Sequence, residues 1–166
     1  MRRRSETIRN RRRNPRGIQM VELAICLPIL LTLFAITGEM GRLYFTTATL
    51  AKGTRLAARY LSTSPLNTND NVTLHYGNAK NLAVYGKTAP TIGDPPIIAG
   101  LTVNNIVIST SGGTAARPEF ITVRVTGVSF SPLINLNGLL RDPAFTLAVP
   151  LSPGTTMRYL ITQPLN

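Results

Sequence analysis

From Ile18 to Gly38 the chain carries one charged residue, Glu22, in an otherwise apolar run. About 21 residues of this kind match the roughly 20 that a helix needs to cross a ~30 Å hydrocarbon core, so a membrane-spanning helix is predicted over residues 18–38. Beyond it, Leu43, Leu50, Ala57 and Leu61 recur at spacings of seven, seven and four, with Ala51 and Ala58 beside them. This is one helical face, and no proline interrupts Glu39 to Ser62. Arg42, Lys52, Arg55 and Arg59 fall largely off that face. A single helix from about Ile18 to about Leu61 follows, roughly 66 Å long at 1.5 Å per residue, with its second part outside the membrane. Pro28 cannot donate to the carbonyl of Ala24, so a kink is expected there. Ser62 to Asn71, with Ser-Pro and Asn-Thr-Asn-Asp, ends the helix.

After residue 70 the period changes to two. Val72, Leu74 and Tyr76 alternate with polar residues, as do Ile121, Val123 and Val125, and both runs predict half-buried strands. After Gly127 the apolar positions shift to Val128 and Phe130, a parity flip that a β-bulge would explain. Leu101 and Val103 followed by Ile106 and Ile108 show a similar slip at Asn104 and Asn105. Ser111 to Pro118, with Gly112 and Gly113, is expected to link two antiparallel neighbours. Asn137 and Gly138 mark a turn, Phe145, Leu147 and Val149 a late strand before Pro150, and Thr156 to Ile161 a last one. Ala89 to Gly100, with three prolines, reads as an ordered loop. There is no internal repeat.

The net charge of +11 suggests a nucleic-acid binder until it is located. Arg2, Arg3, Arg4, Arg9, Arg11, Arg12, Arg13 and Arg16, offset by Glu6 alone, place +7 of it ahead of the apolar run. This tail has no interleaved aromatic residues, so it reads as a topology signal rather than a nucleic-acid surface. By the positive-inside rule the N-terminus is cytoplasmic and the bulk of the chain lies outside the cytoplasm. A cleavable secretory signal is excluded, because the apolar run is longer than an h-region of about 7 to 15 residues and no A-x-A-like site follows it.

Catalytic chemistry finds little support. His75 is the only histidine, lies in a predicted strand and reads as structural. Cys26 is the only cysteine and falls inside the span, so it forms no intrachain disulfide and has no metal-ligand spacing around it. Asp94 beside Pro95 and Asp142 beside Pro143 are turn residues, and a calcium site around Asp70 is a remote alternative. No enzymatic activity, cofactor or metal is expected.

Glu22 is the costly residue. Insertion scales put an acidic side chain at mid-bilayer at roughly +2.5 to +3.5 kcal/mol, so one retained in a span has a partner or a function. Cutting the chain after Gly17 would create a positive charge at the amine of Ile18. A cleavage site followed by a membrane-buried Glu is pilin-like. The ordered series Gly17, Glu22, Leu27 and Pro28, Glu39 with Gly41 and Arg42, then Ala57, Ala58, Arg59 and Tyr60 resembles the TadE-like pilus-assembly proteins, pseudopilins of the Tad (Flp, type IVc) system. Where that family usually has an aromatic residue after the Glu, Leu23 stands here.

The resemblance implies that a membrane-embedded prepilin peptidase cuts between Gly17 and Ile18, and that Glu22 pairs with the new amine of a neighbouring subunit. Residues 1–17 would then be a basic cytoplasmic leader ending in Arg11, Arg12, Arg13, Arg16 and Gly17, and 18–38 the transmembrane helix. Residues 39–62 would continue that helix outside the membrane, and 63–166 would form a periplasmic β-rich domain. The fold class expected is α+β, a long N-terminal helix followed by a small antiparallel β-sheet domain. Implied partners are the peptidase, the major pilin, other pseudopilins and the inner-membrane assembly platform, at the bacterial cytoplasmic membrane. The rival is an uncleaved single-span protein whose β-domain binds a periplasmic ligand. A membrane protein that binds nucleic acid through its Arg tail would instead show steep salt dependence, lost on deleting residues 1–16.

Overall fold

The computed structural model describes residues 15–65, 71–114, 117–133 and 148–160. The chain divides into two compact units, Met1–Gly38 and Glu39–Asn166. Helix α1, Pro15–Thr63, supplies the described part of the first unit and opens the second. It is followed by α2 (Tyr76–Tyr85) and by five strands, β1 (Ile106–Gly113), β2 (Pro118–Val125), β3 (Val128–Phe130), β4 (Val149–Leu151) and β5 (Gly154–Arg158). The α+β class, a long apolar N-terminal helix and then a small antiparallel sheet domain, is as expected.

In the first unit α1 opens with Pro15 in its first turn, where a missing N–H costs no intrahelical bond. It continues through Pro28, and the Thr32 hydroxyl donates to the Pro28 carbonyl at 2.8 Å. Every side chain from Ile18 to Leu31 is exposed, almost all of them apolar.

In the second unit α1 buries one face. Leu50, Ala57, Ala58 and Leu61 are enclosed and Leu43 packs against them, along the stripe that the seven-residue spacing predicted. Arg42, Lys52, Arg55 and Arg59 are exposed. Gly53 lets α2 come close: a Cβ there would stand 2.7 Å from the carbonyl oxygen of Ala83. The last turn of a helix leaves carbonyls without partners. Here the Leu160 N–H donates to the Ser62 carbonyl at 3.0 Å and the Tyr159 hydroxyl to that of Ser64 at 2.9 Å, which fastens the end of α1 to the chain leaving β5.

The core sheet has the order β1-β2-β5, antiparallel throughout, with Ile106 opposite Val125 and Val123 opposite Thr155. Ile121, Val123 and Val125 face the core, and Thr122 and Arg124 alternate with them, as the period of two predicted. The buried Thr54 of α1 meets Thr155 of β5, hydroxyl to hydroxyl, at 3.1 Å. Strands β3 and β4 form a separate two-stranded sheet that adds Phe130 and Leu151 to the core. Pro150 lies within β4 rather than after it, as an edge position allows.

Three expectations are corrected. Val72, Leu74 and Tyr76 are not strand: Val72–His75 is a 3-10 turn capped by Asn71, whose side chain accepts from the Thr73 N–H at 3.1 Å, and Tyr76 begins α2. Ala79 and Ala83, four apart, are the buried pair that marks the helix, a signal stronger than three alternating residues. The parity flip at Gly127 is not a bulge. β2 ends at Val125, Gly127 at φ +69° turns the chain, and β3 belongs to the other sheet. Nor is the slip at Asn104 and Asn105 inside a strand. Val103–Asn105 is a 3-10 turn in which the Asn105 side chain accepts from Thr102 N–H at 2.9 Å and hydroxyl at 2.7 Å.

The link expected over Ser111–Pro118 does join antiparallel neighbours, β1 and β2, but is shorter, because Ser111 and Gly113 pair with Phe120 and Pro118 inside the strands. The predicted last strand is β5, which starts two residues earlier than expected and ends at Arg158. Ala89 to Gly100 is loop, held by Asp94, which accepts from Lys87 Nζ at 2.9 Å and Thr91 N–H at 2.8 Å. The Asn137-Gly138 turn, Phe145, Leu147, Ile161, Asp70 and Asp142 lie outside the described residues.

Candidate functional site

Gly17, Ile18 and Glu22 lie in the first two turns of α1. Residues four apart on a helix share a face, so Ile18 and Glu22 stack one above the other. Nothing lies within 4 Å of where a Cβ on Gly17 would be. Ile18 is 62% exposed, and Glu22 is exposed among Val21, Leu23 and Ile25, which are exposed too. The carboxylate therefore stands on a largely apolar surface beside Gln19, Leu23 and Cys26, and makes no ion pair among the described residues. Arg16 lies in the first turn of the same helix, while Arg11, Arg12 and Arg13 lie outside the described residues. Cys26 is a free, exposed cysteine one turn further along.

α1 meets the length and composition needed to cross a membrane, and its apolar window is fully exposed. That fits a membrane anchor. Transfer of such side chains out of water is favourable by roughly 1.5–3 kcal/mol each when complete, so a surface this apolar belongs in lipid or against other apolar helices.

The second acidic residue of α1 has the opposite surroundings. Glu39, 3% exposed, accepts from Arg42 Nη1 at 2.7 Å through one carboxylate oxygen and from the Leu133 N–H at 3.0 Å through the other. The Arg42 guanidinium lies 5.3 Å from the centre of the buried Phe130 ring. The carboxylate thus fastens the segment that leaves β3 to the helix. By its i, i+3 spacing alone this pair reads as a helix-surface contact. The missed signal is that Glu39 stands four residues before Leu43, on the core stripe itself.

His75 sits edge-on to Tyr60, ring centres 6.0 Å apart, in a structural contact. Burial pushes the Tyr76 and Tyr159 hydroxyls above their ordinary pKa. Among the described residues no three His, Cys, Asp or Glu side chains come together as a metal site.

No curated protein and no solved structure matches the chain. A family model does match: residues 17–59, from Gly17 through most of α1, are similar to the family described as TadE-like protein.

Proposed function

We propose that this chain is a pseudopilin, a pilin-like subunit for assembly of a Tad-type pilus, cut by a prepilin peptidase between Gly17 and Ile18. The TadE-like family is one of pilus assembly rather than catalysis, and the observation that carries the finer reading is that the match begins at Gly17, the last residue of the expected leader. The N-terminal tail, Arg11, Arg12, Arg13 and Arg16 included, keeps the leader on the cytoplasmic side until it is removed.

The local physics is consistent with cleavage. The Gly17–Ile18 bond lies in the first turn of α1, whose N–H groups have no intrahelical partner, so unwinding it for a protease costs few hydrogen bonds. Gly17 presents no side chain to obstruct approach. Cleavage leaves an ammonium on Ile18 at a helix N-terminus, where the helix dipole, about half a positive charge, disfavours a cation. A carboxylate relieves that conflict, and Glu22 of a neighbouring subunit supplies it. Both charges lose water in the bundle, so removing one partner costs about 3 to 5 kcal/mol. Partners on this reading are the peptidase, the major pilin, other pseudopilins and the inner-membrane platform.

The experiment is sequencing of the N-terminus of protein recovered from membranes with and without the peptidase. Ile18 as first residue, only when the peptidase is present, is expected. In parallel Glu22→Ala inserts and is cut but does not join the assembly, and normal piliation with that variant refutes the pairing. The rival, an uncleaved anchor, draws on one observation: the Gly17–Ile18 bond is helical, whereas proteases bind extended backbone. A chain that keeps its arginines in working membranes decides for it.

A further inference from the structure

On the side of α1 opposite the core of the second unit, Tyr44, Ala48, Lys52, Arg55, Leu56 and Arg59 fall within about 120° of one another at 3.6 residues per turn. Tyr44 is 77% and Leu56 50% exposed, and the three cations are exposed with no ion pair among the described residues. No Asp or Glu occurs from Met40 to Asn69, so the helix supplies no compensating charge of its own. Beside the stripe lies an open cleft of about 490 Å³ with small side chains, Ala48 and Ala51, between Tyr44 and Pro153. Small residues let a second helix approach, and an aromatic wall gives it something to pack on.

We infer that this face docks an acidic helix of a partner subunit. Its Asp or Glu side chains, at helical spacing, meet Lys52, Arg55 and Arg59, and an apolar side chain seats on Ala48 and Ala51 against Tyr44. A second copy of the same face does not fit, because it would oppose like charges. An anionic lipid surface fits less well, because Lys52 and Arg59 stand about 20 and 30 Å along α1 from Glu39, beyond the reach of headgroups. The inference rests on the assembly-subunit reading in placing Glu39 at the membrane edge.

The test is photo-crosslinking in native membranes, with benzoylphenylalanine replacing Leu56 in the full-length chain and the crosslinked peptide identified by mass spectrometry. A peptide with acidic residues at helical spacing is expected. Its yield falls at least ten-fold in a K52E/R55E/R59E background and recovers when the acids of the partner helix are changed to lysine. Three outcomes overturn the inference: a crosslink to lipid, one to a second copy, or a yield indifferent to charge reversal. Absence of any crosslink overturns it as well. A K52Q/R55Q/R59Q chain, expected to lose an intermediate share of yield, serves if the reversed chain melts lower than the unmodified one. Sequencing the N-terminus of the same samples separates the two ideas. Ile18 with no charge-sensitive crosslink removes the docking face alone, whereas a retained leader with such a crosslink removes the processed-subunit reading alone.

Discussion

Residues 18–38 and 39–63 of α1 share one backbone geometry and use it in opposite ways. In the first stretch the exposed side chains are Ile18, Met20, Val21, Leu23 and their like, and the single anion stands among them. In the second the aliphatic side chains Leu50, Ala57 and Leu61 are enclosed, the exposed ones include four cations, and the anion Glu39 is buried. Helix formation alone does not distinguish them, since both satisfy their backbone internally. The difference is the surroundings each stretch was built for. The second has its own protein core, whereas the first needs lipid or other helices to cover it.

The comparison breaks most readily at paired substitutions. Leu50→Ala, at 1% exposure, is expected to cost the second unit about 3 kcal/mol through lost burial and a cavity, while Leu30→Ala, at 57%, leaves that unit's stability unchanged. Thermal and denaturant melts of the full-length chain in micelles, followed by tyrosine signal and circular dichroism, measure both. Equal losses would mean that the first stretch also belongs to the folded core.

Glu39→Ala strands the Leu133 N–H and the Arg42 guanidinium and is expected to cost about 2 kcal/mol, with faster hydrogen exchange at Leu133 as its local signature. Glu22→Ala, with no ion-pair partner among the described residues to strand, leaves the melt unmoved.

The glycines sharpen the contrast further. At Gly53 a methyl meets the Ala83 carbonyl at 2.7 Å, so Gly53→Ala lowers stability by about 1 kcal/mol net of the helix propensity gained. Gly38→Ala, with nothing within 4 Å, is neutral or raises the helix content of α1.

The smallest effect concerns pH. The Lys87 ammonium, and after it the Thr91 amide, hold the Asp94 carboxyl below its ordinary pKa. A carboxylate stabilised in the folded state contributes above its unfolded pKa and loses that contribution as pH falls through the lowered folded value. The 89–100 loop should therefore loosen only in strong acid, read as faster exchange at Thr91 while the sheet stays protected. Loosening near neutral pH would contradict the ion pair.

Several features were legible because their causes are local. The apolar length of residues 18–38, the Leu43-to-Leu61 stripe and the alternation of Ile121 to Val125 each follow from the geometry of one element, and each is present in the structure. That Ile18 and Glu22 share a helix face was legible for the same reason, being a spacing within one helix. Val72 to Tyr76 misled because three alternating residues are compatible with both periods, and the Ala79 and Ala83 pair that resolves them comes afterwards.

By itself the sequence determined a long helix with an apolar front and a one-sided rear, and the strand character of β2. Those properties need only the repeat of a single element and the solubility of its side chains. Tertiary structure alone paired Glu39 with the amide of Leu133, 94 residues away, seated Gly53 against Ala83, and divided the strands between two sheets. Such contacts join segments whose separation along the chain carries no periodic trace, and they exist only once the entropy of closing the intervening loops has been offset by the core they enclose.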